Sequence, residues 1–389
     1  MIFFSKPSIS KKEIDNINKV LKRGVLTDGF FQKKTELLIK KKINSKFLAL
    51  TQSCTDALEL ASSLINLKPD DEVIMPSYTF TSTANAVVLR GAKPVFADIN
   101  TNDFQINQDQ IESLITKKTK AIFIVHYGGN CMNLKKIIKI KKKHNLFLIE
   151  DCAHSFLSTS NGRYAGTIGD IGVFSFHETK NIVGGQGGAI SINNSKLLRR
   201  ANFLLDKGTD RVNFLRNYKK QFISEKNKTK LKKNYYSWVD CGSEYRASEL
   251  SSALIYSQFL RSSELIKKRK KIWYKYYNFL KKLNHNKIEL FEVEKNSKNV
   301  FHLFAFKMKN KFLASQLRSF LQEKKIPATF HYVPLHSSSF GKKFRHGDMS
   351  VTNKDWMRII RLPVYPDLKN SEINKILNSL KNFLKKKLY

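Results

Sequence analysis

The stretch "GVFSFHETKNIVGGQGGAISI", residues 172–192, joins two apolar runs through titratable groups. "GVFSF" (172–176) has the length and the aromatic content of a buried strand, and His177, Glu178 and Lys180 follow it directly. A buried strand ordinarily ends in a turn of small polar residues. Here the glycine-rich turn "GGQGG" (184–188) comes only after the charged groups. Lys180 is either an ordinary surface lysine past a strand end or the carrier of chemistry.

Working outward, the same kind of run recurs at "DEVIMP" (71–76), "KPVFADI" (93–99), "KAIFIVH" (120–126) and "LFLIED" (146–151). Segments with helical periodicity separate several of them, among them "CTDALELASSLINL" (54–67). Strands alternating with helices predict an α/β domain built on a mostly parallel sheet. A long helical pattern over 247–283 leads out of it, and "FHLFAFKM" (301–308), a helix near 311–324 and a closing helix from about 371 predict a smaller α+β domain. The expected division is a large domain over 1–255 and a small C-terminal domain with its linking helix over 256–389.

Composition bounds the function classes. Seventy basic against thirty-two acidic residues give a net charge of +38 in 389 residues. Nucleic-acid binding is the obvious reading of such a charge. Yet the lysines are dispersed. In "LKKIIKIKKKHN" (134–145), Leu134, Ile137, Ile138 and Ile140 form one stripe suited to burial while the lysines face water. "KNKTKLKK" (226–233) reads as a solvated loop, and no nucleic-acid module is visible, so no specific nucleic-acid partner is expected. No apolar run reaches the length of a membrane span, and "MIFFSKPSISKKEID" lacks the features of a signal peptide. Cys54, Cys131, Cys152 and Cys241 are scattered without a CxxC pair, which speaks against a zinc site or a disulfide scaffold. The expected setting is a reducing cytoplasm, with no membrane partner and no metal.

In an open parallel sheet, ligands bind beyond the carboxyl ends of the strands. Unusual residues gather at those ends: "PSYTF" (76–80), His126 with Tyr127, Glu150 with Asp151 and then His154, and Ser175 with Lys180. A fifth feature is "TQSCTDALELASSLI" (51–65), where Ser53, Cys54 and Thr55 open an amphipathic helix. Free amides and the positive end of the helix dipole make such a turn a site for phosphate. A phosphate cradle, an aspartate at a buried strand end, an aromatic-rich strand end and a late lysine together fit pyridoxal 5'-phosphate. The lysine condenses with the cofactor's aldehyde, and the aspartate keeps the ring nitrogen protonated. Alternation along "IED" sends Glu150 and Asp151 to opposite faces, so one of them reaches the ring.

These residues resemble the DegT/DnrJ/StrS sugar aminotransferases, pyridoxal-phosphate enzymes acting on nucleotide-linked keto sugars. The resemblance runs over nearly the full length. Besides the pieces already quoted it includes "LTDGFF" (26–31), "IEDCAHS" (149–155), "EYRASEL" (244–250), "HYVPLH" (331–336) and "RLPVYP" (361–366). It implies the pyridoxal-phosphate aminotransferase fold (fold type I), with Lys180 as the Schiff-base lysine and proton carrier. It further implies Asp151 at the ring nitrogen, Phe80 and His154 beside the ring, and Cys54, Thr55 and Ser175 at the phosphate. His331 and Tyr332 are candidates for sugar contacts, with packing between domains as the plain alternative. Arg211 and Arg216 are candidates for the substrate diphosphate. The partners implied are a nucleotide-linked keto sugar, L-glutamate as amino donor and a second copy of the chain in a homodimer. Within the family, "PSYTFTSTANAVVLRGA" and "YYSWVDCGSEY" are similar to the branch that aminates dTDP-4-keto-6-deoxyglucose at its 4-position.

Four positions depart from the family pattern. Ser53-Cys54-Thr55 stands where the family usually has Ser-Gly-Thr. His154 stands where glutamine is common, and Gln186 where glutamate is frequent. Glu244 falls near an asparagine that reaches the cofactor phosphate, a role a carboxylate does not suit. Three rivals are weighed. A sugar dehydratase of this fold carries histidine in place of the lysine, a 3-amino-sugar transaminase shares the cofactor chemistry, and a non-catalytic protein leaves Lys180 and Asp151 unexplained.

Overall fold

Seven strands form the central sheet of the computed structural model, which describes residues 2–211, 236–293 and 296–385. They are β1 (Phe47–Thr51), β2 (Glu72–Pro76), β3 (Lys93–Ala97), β4 (Thr119–Val125), β5 (Phe147–Asp151), β8 (Ile171–Ser175) and β9 (Gly188–Ile192). A short hairpin, β6 (Thr159–Ser160) and β7 (Arg163–Tyr164), lies between β5 and β8 in the chain. The spatial order is β1-β9-β8-β5-β4-β2-β3. From β3 across to β8 every pairing is parallel, whereas β9 runs antiparallel to both β8 and β1. β8 and β9 belong to the opening stretch, and the turn between them reverses the chain, so the sheet is mostly rather than wholly parallel. The carboxyl ends of β2, β4, β5, β8 and β1 therefore face the same edge.

Both faces of this sheet are covered, which is why its strands read as near-continuous apolar runs. One cluster packs Leu58, Leu60, Ala61 and Leu64 of helix α3 (Cys54–Leu64), which follows α1 (Lys11–Arg23) and α2 (Phe30–Ile43), against Val73, Phe123, Ile149 and Val173. On another face Ile137 and Ile140 of the lysine-rich helix Lys135–Lys143 are buried against Ile122, Ile124 and Leu148. The apolar stripe thus accounts for that segment; most of its lysines lie on the outside, and half-buried Lys141 pairs with Asp170. The segment 226–233 and Arg216 fall outside the described residues.

A separate cluster holds a three-stranded sheet made of Ile288–Leu290, Phe304–Met308 and Ile359–Leu362, all antiparallel. Helices Lys311–Glu323 and Asn370–Lys385 pack on it, and Ile2 from the start of the chain joins the same core. The long helical pattern is two helices, Glu249–Leu260 and Ser262–Leu283, broken at Arg261. That arginine reaches back to Glu13 at 2.8 Å. Buried Glu249 accepts the N–H groups of Phe31 and Gln32 at 2.6 and 3.0 Å and so caps helix Phe30–Ile43, whose own N-cap is a glycine. Among the described residues no helix is long and apolar enough to cross a membrane.

Candidate active site

Glu150 and Asp151, adjacent at the end of β5, part to opposite sides. Glu150 is fully buried and accepts the backbone N–H groups of Gly166, Ile168 and Gly169. His126, at the end of β4, donates from Nε2 to Glu150 at 2.9 Å, while its Nδ1 accepts the Met132 N–H at 3.0 Å. That pattern fixes the tautomer. Cys152 lies close enough to this pair to complete a three-residue metal-ligand set. Both imidazole nitrogens and the carboxylate are already engaged, however, so the cluster works as a buried brace for the β4–β5 edge.

Asp151 turns the other way, into a cavity of about 520 Å³ at the carboxyl edge of the sheet. Its carboxylate accepts Thr83 Oγ1 at 2.9 Å and the Ala153 N–H at 3.0 Å. No cation forms an ion pair with it among the described residues, and burial pushes its pKa up. It is a desolvated carboxylate facing an open volume, the setting in which a protonated ring nitrogen would be stabilised.

Lys180 lines the same cavity. The strand β8 ends at Ser175, and the turn is tightened by the Lys180 N–H donating to the His177 carbonyl at 2.9 Å. Its amine makes no hydrogen bond to the described residues. Burial lowers its pKa, with the nearby Cys54 and Asp151 opposing that shift. A lowered pKa leaves more of the amine uncharged at neutral pH, as a nucleophile or a proton carrier needs.

The third wall is the start of α3. Ser53 is its N-cap and accepts the Asp56 N–H at 3.0 Å, leaving the Cys54 and Thr55 N–H groups without an intrahelical acceptor. Thr55 Oγ1 sits 2.8 Å from Ser82 Oγ, and both hydroxyls line the cavity beside Ser175. Gly188 of β9 abuts this turn, and a Cβ there would overlap the Ser53 carbonyl. The close approach requires glycine and holds the helix start against the β8–β9 edge.

Aromatic rings make up the remaining side. His154 stacks on His331 at 5.2 Å between centroids and on His302 at 4.6 Å, and His331 in turn stacks on Tyr332 at 3.8 Å. His331 Nδ1 lies 2.9 Å from the Tyr127 hydroxyl. Burial drives the pKa of all three histidines well down, so this wall is uncharged. Phe80 lines the cavity while 57% exposed, with its ring 6.2 Å from Tyr332.

Cys54, Thr55, Phe80, Asp151, His154, Ser175, Lys180, His331 and Tyr332 all line this one cavity, whereas Arg211, a candidate for the substrate diphosphate, does not. Thr83, His302 and Arg361 line it as well and were not anticipated. Arg361 carried a signal, being a charge inside the apolar run "RIIRLPV" (358–364), whereas nothing local distinguishes Thr83 or His302. Glu244 lies away from the cavity, paired with Lys207, and Arg211 is 3.9 Å from Asp206.

Known proteins are similar to this chain in sequence and in fold. Residues 7–381 match the DegT/DnrJ/EryC1/StrS aminotransferase family. An uncharacterised protein of Methanocaldococcus jannaschii is 32% identical, over 97% of this chain and 96% of its own length. GDP-perosamine synthase of Escherichia coli is 29% identical, over 97% of each chain. Among solved structures, Helicobacter pylori PseC, an aminotransferase of pseudoaminic acid biosynthesis, superposes with a TM-score of 0.87 at 25% identity, covering 98% of this chain and 99% of that one.

Proposed function

The chain belongs to the DegT/DnrJ/EryC1/StrS aminotransferase family of pyridoxal-phosphate enzymes, and from that premise we propose that it aminates the 4-keto carbon of dTDP-4-keto-6-deoxyglucose with L-glutamate as donor. The product of that reaction is dTDP-4-amino-4,6-dideoxygalactose, a precursor for cell-surface polysaccharide. The observation that carries the reading is the convergence of the Lys180 amine, the Asp151 carboxylate and the open start of α3 on one cavity.

The residues fit the cofactor. Asp151, with no counter-ion among the described residues, suits the ring nitrogen, and the start of α3 with Ser175 suits the phosphate. His154 and Phe80 bound the space for the ring. When bound, pyridoxal phosphate supplies an aldehyde that takes up an amino group and a ring that withdraws electrons. Asp151 holds the proton on the ring nitrogen, and Thr83 holds Asp151 in place through its hydroxyl. Lys180 would hold the cofactor at rest and, once displaced, would move a proton from the donor's α-carbon to the cofactor's aldehyde carbon in one half and from that carbon to the sugar's ring carbon in the other. General acid–base help of this kind contributes on the order of 100- to 10,000-fold. The uncharged wall of His154, His331 and Tyr332 meets a sugar ring through stacking and hydroxyl contacts without competing for its proton.

The substrate assignment draws on "PSYTFTSTANAVVLRGA" and "YYSWVDCGSEY", the latter described from residue 236 onward. The relatedness to GDP-perosamine synthase makes a GDP-linked sugar the rival. The test supplies the dTDP-linked 4-keto sugar, its 3-keto isomer and a GDP-linked 4-keto sugar, each with glutamate, and identifies the amino sugar by mass spectrometry and nuclear magnetic resonance. Preferred turnover of the first supports the proposal. Preferred turnover of either other sugar refutes the substrate and keeps the class.

A further inference from the structure

Behind the cavity wall, on the helix Ser262–Leu283, Arg269 is buried at 2% exposure. A guanidinium kept from water is costly unless its donors are met. Arg358, Arg200 and Arg261 meet theirs with carboxylates. No carboxylate among the described residues pairs with Arg269. Its donors go to backbone instead: Nη1 to the Val364 carbonyl at 2.7 Å and the His302 carbonyl at 3.1 Å, and Nη2 to the Lys180 carbonyl at 3.4 Å. These acceptors come from three separate stretches of chain. Lys180 lies in the turn after β8, His302 precedes the strand Phe304–Met308 of the smaller sheet, and Val364 follows the strand Ile359–Leu362. All three residues line the cavity, whereas Arg269 does not. The arginine therefore grips the cavity wall from its rear.

A second tie joins the same two stretches. Asn181, the residue after Lys180, is buried, and its Nδ2 donates to the Val300 carbonyl at 2.7 Å. Its Oδ1 lies 3.1 Å from His302 Nδ1. An amide oxygen only accepts, so His302 carries its proton on Nδ1 and donates it there. The His302 ring in turn stacks on His154. Lys180 and its neighbour are thus fastened to the segment 300–302 twice, once through backbone and once through a side chain.

We propose that Arg269 and Asn181 are positioning residues for Lys180, which set the place of its amine by fastening its turn to the smaller domain; the inference rests on the aminotransferase reading above. A lysine carries its amine on a long flexible stem. The Lys180 amine has no hydrogen-bond partner among the described residues, so it is held from its backbone rather than from its tip. A proton carrier must nevertheless stand within hydrogen-bond reach of the atoms it serves. A misplacement of about 1 Å, even one caused far from the chemistry, can cost about 100-fold in rate. If the arginine only satisfied carbonyls in a core, its loss would lower stability and leave the chemistry as it was. That difference can be measured.

The experiment compares wild type with Arg269→Met, Arg269→Lys and Asn181→Ala. In one arm the cofactor-free proteins take up pyridoxal phosphate over a range of pH, followed by absorbance. The charged or titratable groups acting on Lys180 are Cys54, Asp151 and Arg361, and the variants leave all three in place. A shifted uptake profile therefore reports the placement of the lysine itself. In a second arm the loaded proteins receive L-glutamate alone, and the rate of cofactor conversion to its aminated form is measured against glutamate concentration. Thermal unfolding is recorded for each. The expectation is that Arg269→Met and Asn181→Ala lower the saturating conversion rate by about 10- to 100-fold. The glutamate concentration for half-maximal conversion stays within about threefold of wild type, as for a loss felt in the chemical step. Uptake by these variants moves to higher pH, because a loosened turn lets water reach the amine. Arg269→Lys keeps the charge but donates from a single nitrogen, so its rate falls between. A wild-type saturating rate and uptake profile in both Arg269→Met and Asn181→Ala overturns the proposal, whatever the change in thermal stability. So does a loss confined to the glutamate concentration. If Arg269→Met does not fold, Asn181→Ala decides by the same two readouts. If wild type itself takes up no cofactor, the aminotransferase reading fails, which is a different failure.

Discussion

At the scale of single residues, the two groups that define the site are perturbed in opposite senses by one cause. Burial raises the pKa of Asp151 and lowers that of Lys180, because each charged form is taken from water. For Lys180 the cost of charge is present below its lowered folded pKa and fades as pH rises toward the ordinary lysine value. Cofactor uptake by the cofactor-free protein, which needs the uncharged amine, should therefore quicken with rising pH and level off below about 10.4, the ordinary lysine value. Rates that climb on past that pH would show an unperturbed lysine. For Asp151 the cost of charge is present above its raised folded pKa and vanishes below the ordinary aspartate range. Asp151→Asn should accordingly leave the cofactor-free protein as stable as wild type or more so near pH 7, by thermal unfolding. The loaded variant should lose about 100-fold or more in activity, since removing a proton-holding partner removes the ring's electron withdrawal. Thr83→Val, which takes away only the hydroxyl holding Asp151, should cost about 10-fold, the worth of a hydrogen bond to a charged group. Full activity in Thr83→Val would deny it that positioning role.

At the scale of elements, the close pass of β9 against the start of α3 sets the phosphate-suited wall. Gly188→Ala must push the Ser53–Cys54 turn outward, because the added Cβ meets backbone rather than a movable side-chain end. The expected result is weaker cofactor binding by about 10-fold or more with secondary structure retained, measured by titration and circular dichroism. Equal affinity would mean that the turn does not hold the cofactor. These elements differ in how legible they were. The parallel strands declared themselves because both faces of the sheet are covered, giving apolar runs that end abruptly in His126, Asp151 and Ser175. The reversal of β9 was not legible, since an apolar pentapeptide reads the same in either direction. The break at Arg261 was hidden too, because helical periodicity continues on both sides of it. In the site, residues at strand ends could be found from spacing. His302 and Thr83 could not, for each reaches the cavity only through tertiary packing. Arg361 stood out as a charge in an apolar strand, yet its lack of a counter-ion among the described residues is a fact of three dimensions.

For the whole molecule, charge and surface lead to two predictions. The net charge of +38 is spread over helix faces such as Lys135–Lys143, whose opposite side is buried. Any DNA binding should be weak and fall steeply between 50 and 200 mM salt, on the order of the losses typical of phosphate contacts alone. Tight, sequence-selective binding at physiological salt would contradict the enzyme reading of this surface. Large apolar side chains also remain uncovered, Phe80 at the cavity mouth and Trp238 at 78% exposure among them. A second copy of the chain is the proposed cover, as a two-fold homodimer, the commonest assembly. Light scattering should give twice the 45.0 kDa chain mass at working concentration. A monomer that turns over would refute the dimer.

The central claim is that Lys180 holds pyridoxal phosphate, and its most direct measurement is chemical. The purified protein loaded with cofactor is treated with sodium borohydride, digested, and the labelled peptide identified by mass spectrometry, alongside Lys180→Ala. The account predicts one labelled peptide, containing Lys180 within "FSFHETKN", and no label or turnover in the variant. A label on another lysine, or turnover that survives Lys180→Ala, would contradict it.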